Sequence, residues 1–289
     1  MILRTRTQSI QFRRRPLIMG ILNINDDSFS ADGKLDSRWA LERAVEMVGE
    51  GADIIDVGAE SARTNRAAIS EDDELSRLIP FLQGFEAAVL QAKPAAADQL
   101  FPPLLSINTW RPLVASAALS VAGDILNDMG GLPTPDNAVA AAKHGAALLI
   151  MHTVGAPKIA HTHVGYHDVV AEMKTFFEDR IRMAQEAGLD RRSIILDPGI
   201  DFAKQRDDNL RVMRELDQIS AMGYPVLMPV SRKTVIGEVL KIADARDRDA
   251  GTMACLVAGA LRGAAIFRVH HVAAALKVTL TLDRIGAVE

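Results

Sequence analysis

A chain of 289 residues, 48% hydrophobic and 24% charged, can bury a large core, which excludes extended disorder and collagen-like repeats. The 33 basic and 37 acidic side chains leave a formal charge of −4, which argues against nucleic acid as a partner. The single cysteine, Cys255, excludes an intramolecular disulfide and points to a reducing compartment, the cytoplasm; no uncharged apolar run reaches about 18 residues, so no membrane partner is expected.

Residues 1–16 carry Arg4, Arg6, Arg13, Arg14 and Arg15 without a following apolar stretch, and are expected to form a solvated N-terminal segment. From residue 17 onward two kinds of apolar segment alternate. Short runs rich in Ile, Leu and Val at 17–22, 53–57, 104–107, 124–126, 147–151, 193–196, 225–230 and 265–269 have the character of buried parallel strands. Helical spacing fills 37–49, 71–91, 112–120, 136–144, 167–187, 207–222, 248–262 and 272–284. Eight strands, each followed by a helix, predict one α/β domain over residues 17–289, a single (β/α)8 TIM barrel. An open doubly wound sheet would leave strands over. Asp36 or Ser37 suits the N-cap of the first helix, and Ser70 with Asp73 has the spacing of a capping box for the second.

In such a barrel the chemistry sits where strands end. The polar residues at those points are Asn23 to Ser30, then Glu60-Ser61-Ala62-Arg63, Asn108-Thr109, Asn127-Asp128, His152-Thr153, Asp197-Pro198-Gly199, Ser231-Arg232-Lys233, and Arg268 with His270. A single Asn or Asp after a strand is an ordinary turn residue, but eight polar strand ends together describe a ligand pocket. Asn127, Asp197 and Lys233 suit a flat, nitrogen-rich heterocycle, because a carboxylate accepts the paired N–H donors of an amino-pyrimidine edge. Arg63, Arg268 and His270 suit a polyphosphate, and the Asn23 oxygen could face Mg2+. No phosphate-binding glycine loop, dinucleotide fingerprint, zinc-protease motif or serine nucleophile elbow occurs. His161, His163 and His167 lack the carboxylates of a metal site and read as a polar loop.

These strand ends resemble the dihydropteroate synthase family. The matching stretches are Ile18-Met19-Gly20-Ile21-Leu22-Asn23 with Asp27-Ser28-Phe29-Ser30, and Gly51-Ala52-Asp53-Ile54-Ile55-Asp56-Val57-Gly58 with Glu60, Ser61 and Arg63. Further matches are Ile125-Leu126-Asn127-Asp128, Met151-His152, Leu196-Asp197-Pro198-Gly199, Ser231-Arg232-Lys233 and Phe267-Arg268-Val269-His270. The resemblance spans residues 17–285 and implies a pterin-binding barrel. The implied reaction joins 6-hydroxymethyl-7,8-dihydropterin diphosphate to p-aminobenzoate, giving dihydropteroate and diphosphate. It places Asn108, Asn127, Asp197 and Lys233 at the pterin, and Asn23, Arg63, Arg268 and His270 at the diphosphate. Lys233, Arg268 and His270 carry the catalysis, Ser231, Phe29 and Phe202 shape the p-aminobenzoate site, and Mg2+ sits at Asn23. A homodimer through the last helices is also implied, using small apolar faces around Ala254, Val257, Leu261 and Ala273 to Leu276.

The chain departs from the family pattern at several points. Asn108 stands where the family usually has Asp, Asn25 and Asp26 where it has Thr and Pro, Ala62 and Thr64 where it has Thr and Pro, and Asp201 and Ala203 where it has glycines. An amide at 108 keeps the carboxylate's shape and loses its charge. Read from the sequence, it predicts good pterin binding, slow turnover, and a gain in rate on Asn108→Asp. Two other activities stay open: a pterin-binding paralogue with no or altered synthase activity, and methyl transfer from a methyltetrahydrofolate.

Overall fold

A computed structural model describes residues 1–12, 15–24, 37–60, 67–159 and 164–288 of the chain. Its first elements form a small hairpin, β1 (Ile2–Arg4) and β2 (Ser9–Gln11), paired antiparallel with Leu3 opposite Ile10. The barrel strands are β3 (Leu17–Asn23), β4 (Ile54–Gly58), β5 (Leu104–Asn108), β6 (Ile125–Asp128), β7 (Ala147–Met151), β8 (Ile194–Asp197), β9 (Val226–Met228) and β10 (Ala264–Val269). They pair in parallel in chain order, and β10 closes on β3. All eight expected strands are present, and the fold is the (β/α)8 barrel.

The helices are α1 (Ser37–Glu50), α2 (Glu71–Val89), α3 (Pro112–Val121), α4 (Asp136–His144), α5 (Val169–Glu186), α6 (Arg206–Arg214), α7 (Leu216–Ser220), α8 (Thr234–Leu240), α9 (Asp249–Ala260) and α10 (Val272–Arg284). Ser70 and Asp73 make the expected capping box on α2. The helix expected over 207–222 is broken at Glu215 into α6 and α7, which leaves both Val212 and Leu216 buried. The short α8 had no separate helical signal: only two turns long, it buries Val235, Ile236 and Gly237.

The apolar side chains fall into two clusters. One lies between strands and helices; the other includes Leu17, Met19, Ile54, Leu104, Ile125, Leu149, Ile195, Leu227 and Ile266 together with Leu3 and Ile10 of the hairpin. The second cluster draws on the first residues of several strands, so the hairpin closes the N-terminal end of the barrel. This corrects the expectation of a solvated leading segment. Each hairpin strand buries one side chain of three, too short a pattern to register as periodicity. Arg15 is also buried, with both its terminal nitrogens 3.0 Å from Asp53 and its Nε 3.0 Å from Asp98. Charge alone marks an arginine for the surface, but a bidentate carboxylate fixed at the edge of the barrel draws this one inside. Arg13, Arg14 and Asp36 lie outside the described residues.

Candidate active site

A cavity of about 850 Å3 opens at the end of the barrel where the strands finish. Its lining includes Asn23, Asn108, Phe202, Ser231, Lys233, Arg268 and His270, so seven of the residues singled out from sequence converge. Asn127 and Asp197 are buried at the ends of β6 and β8, 2% and 4% exposed, and connect to the lining through hydrogen bonds and charge. Arg63 and Phe29 lie outside the described residues, as do Asn25, Asp26, Ala62, Thr64, His161 and His163.

The floor is organised by Asp56 of β4, a fully buried residue. Its Oδ1 accepts from Ser106 Oγ at 2.6 Å and Asn127 Nδ2 at 3.1 Å; its Oδ2 accepts from Asn108 Nδ2 at 3.3 Å and Arg268 Nε at 2.7 Å. The alternation of strand side chains sends Asp56 into the barrel, and the parallel register sets it opposite Ser106. Gly58, two residues on, leaves room for Asn108: a Cβ there would lie 3.3 Å from the Asn108 Cβ. Sequence reasoning overlooked Asp56 because it sits inside an apolar run, not after it. The signal was present: an uncapped carboxylate in the middle of a buried strand needs partners. Asn108 therefore has a carboxylate beside it, which the sequence alone did not place there.

Asp197 is pushed up to about 6 by burial, against the opposing pull of the Gly199 N–H, Lys233, Arg268 and Lys204. Its Oδ1 accepts from Gly199 N at 2.7 Å. Gly199 has φ 62, and a Cβ there would lie 2.0 Å from the His152 carbonyl oxygen, so no other residue fits this turn. Lys204, overlooked in the sequence, is buried below this loop. Its Nζ donates to His152 Nδ1 at 2.8 Å and to the carbonyls of Gly199, Phe202 and His152. Burial brings its ammonium down to about 7. His152 accepts that bond as a neutral ring, held down to about 2 by burial and by Lys204, with its ring packed against Phe176. The second imidazole expected in the pocket is thus a support for loop 198–204 and does not line the cavity.

That loop places the Phe202 ring 4.4 Å from Lys233 Nζ, a cation–π contact. The two positions where the family has glycine, Asp201 and Ala203, have φ 64 and 50, the left-handed region that glycine occupies without penalty. Asp201 gains a compensating role. Its carboxylate accepts from the N–H groups of Thr234 and Val235, capping α8, whose own N-cap residue Lys233 makes no side-chain cap bond. Across the mouth, Ser231 Oγ lies 2.9 Å from His270 Nδ1 and accepts from His270 N at 3.1 Å, tying the ends of β9 and β10. Glu60 at the rim pairs with Arg111 at 2.6 Å and Lys158 at 2.8 Å.

Among the described residues no group of three or more His, Cys, Asp or Glu side chains is placed to hold a metal. The exposed Asn23 at the mouth offers one oxygen. That fits Mg2+, which binds few protein ligands and is carried largely by substrate phosphates and water.

The chain matches the pterin binding enzyme family model over residues 19–270. It is 37% identical over 284 residues to the dihydropteroate synthase of Bacillus subtilis, covering 98% of this chain and 93% of that one. To the Escherichia coli enzyme of the same name it is 36% identical over 258 residues, covering 89% and 87%. Among solved structures, Xanthomonas albilineans dihydropteroate synthase with 4-aminobenzoic acid superposes with a TM-score of 0.86 at 32% identity, covering 100% of both chains. The Thermus thermophilus enzyme in complex with 6HMPPP superposes with a TM-score of 0.81 at 35% identity, covering 99% of this chain and 100% of that one.

Proposed function

The chain belongs to the pterin binding enzyme family, among the dihydropteroate synthases, and from that membership we propose how its barrel mouth divides the reaction. The substrates are 6-hydroxymethyl-7,8-dihydropterin diphosphate and p-aminobenzoate. Asp197 accepts paired N–H donors of the pterin, Lys233 approaches its carbonyl edge, and Asn108 and Asn127 meet the remaining nitrogens. Arg268, partly buried at the cavity wall and steadied from below by Asp56, faces the diphosphate, and His270, Asn23 and Arg63 share that role. Ser231, Phe202 and Phe29 shape the p-aminobenzoate site.

The C–O bond to the diphosphate breaks with its electron pair leaving on oxygen, while the arylamine nitrogen forms the new C–N bond and releases a proton to water at the open mouth. Negative charge grows on the leaving group, and Arg268 and His270 are aimed where it grows. Positive charge grows on the pterin methylene, and Asp56 and Asp197 are the buried carboxylates beneath it. Holding the two substrates on one rim replaces an encounter in solution with an oriented attack. Mg2+ at Asn23 would neutralise diphosphate charge.

The observation that carries this reading is the convergence of Lys233, Arg268, His270 and Ser231 in one cavity above two buried carboxylates. Diphosphate release from the pterin substrate, measured with and without p-aminobenzoate, tests it. Release that requires p-aminobenzoate is expected; release independent of it, or none, overturns the assignment. We also place the protein in the cytoplasm as a homodimer. Leu261 and Ile285, at the ends of α9 and α10, are 57% and 69% exposed, whereas Ala260, Ala275 and Leu276 are already buried within the fold. No helix among the described residues is long and apolar enough to cross a membrane.

A further inference from the structure

Asp56 does not itself line the cavity, yet it takes four hydrogen bonds from β5, β6 and β10. An ionised carboxylate accepts and cannot donate. Paired with Arg268, Asp56 therefore obliges both neighbouring amides to turn their nitrogens toward it. The Asn127 oxygen is then left buried with no hydrogen-bond partner among the described residues. A buried acceptor without a partner is rare in a native fold and calls for a donor from elsewhere.

We propose that Asp56 is a positioning residue that fixes the hydrogen-bond sense of the pterin pocket. By locking the amide of Asn127, and with it that of Asn108, it makes the pocket present a carbonyl oxygen to the ring edge left free by Asp197. The 7,8-dihydro ring carries N–H at N8 and satisfies that oxygen. The fully oxidised ring has a lone pair at N8 and sets it against the lone pairs of the amide. The pocket thus selects the reduced pterin through a residue that does not touch it. This inference rests on the pterin reading of the site.

The test is calorimetry under reducing conditions with two probes, 6-hydroxymethyl-7,8-dihydropterin and 6-hydroxymethylpterin, on the parent, Asp56→Asn and Asn127→Ala. An amide at 56 both donates and accepts, so it frees the neighbouring amides to flip. Asn127→Ala removes the acceptor and leaves the Asp56–Arg268 pair, so it decides the matter should Asp56→Asn fail to fold. The parent is expected to bind the reduced probe at least about tenfold tighter, and both variants to bring that ratio close to one. A parent ratio near one overturns the proposal. So do variants that weaken both probes together with the ratio kept, which is what a purely structural role would give. A parent that binds neither probe sinks the pterin reading itself, and this inference with it.

Discussion

Asn108→Asp separates the expectation drawn from sequence from the one drawn from the structure. On sequence alone the change restores a missing negative charge and raises turnover. In the structure the Asn108 Nδ2 is 3.3 Å from Asp56 Oδ2, so the substitution sets two buried carboxyls face to face. At that separation and an effective dielectric of about 20, two unit charges repel by about 5 kcal/mol. Arg268 on the same Asp56 oxygen offsets part of this, so the figure is an upper bound. A repulsion of that order lifts the new carboxyl from about 4 toward neutrality. It then keeps its proton and donates to Asp56 as the amide did. Above the pKa of the unfolded chain, about 4, and up to the raised value, the native variant holds a proton that the unfolded chain has lost. Its stability relative to the parent therefore falls as pH rises through that window. Urea midpoints of parent and variant, compared from about pH 5 to about pH 8, should diverge with pH, by on the order of 2–4 kcal/mol in total. Turnover at neutral pH should change less than about tenfold. A stability difference that ignores pH, together with a rate raised by about 10²-fold, would refute the reasoning and show that a free charge at 108 is what the enzyme lacks.

Asp197, raised to about 6 by burial, should make pterin binding pH-dependent. If the ligand needs the anion, affinity rises about tenfold from pH 5 to pH 7 and then levels off, and calorimetry on Asp197→Asn should show weaker binding with no such rise. Ala203→Gly relieves a side chain held at φ 50 and should stabilise the protein by about 1 kcal/mol, moving the midpoint of thermal unfolding up by about 2–4 °C; no gain would mean the loop is not strained there. Arg15→Ala leaves Asp53 buried beside an empty space, since the pair is 3% and 0% exposed. It should cost about 3–5 kcal/mol in urea unfolding with kcat of the surviving folded protein nearly unchanged, and a loss below about 1 kcal/mol would place Arg15 among ordinary surface arginines.

The sequence by itself determined the barrel and the rim. Eight apolar runs alternating with helical spacing admit little besides a closed sheet, because every strand is buried on both faces and must be covered by the helix that follows it. The strand ends were legible for the same reason: polarity returns abruptly at Asn23, Asn108, Ser231 and Arg268, at or near the ends of the barrel strands. What lies under the rim was decided only by the tertiary structure. Asp56 is one acidic letter in an apolar word, and nothing local says that Ser106, Asn108, Asn127 and Arg268 reach it from as far as 212 residues away. His152 read as a pocket imidazole and Lys204 carried no signal of its own, yet packing turns them into a buried pair that props the loop from below. Arg15 and the hairpin looked solvated until the open end of the barrel supplied an apolar floor and the carboxylate of Asp53. Periodicity records which way a side chain faces along its own element. Which charges meet across the barrel depends on register and closure, and those exist only once all eight strands are in place.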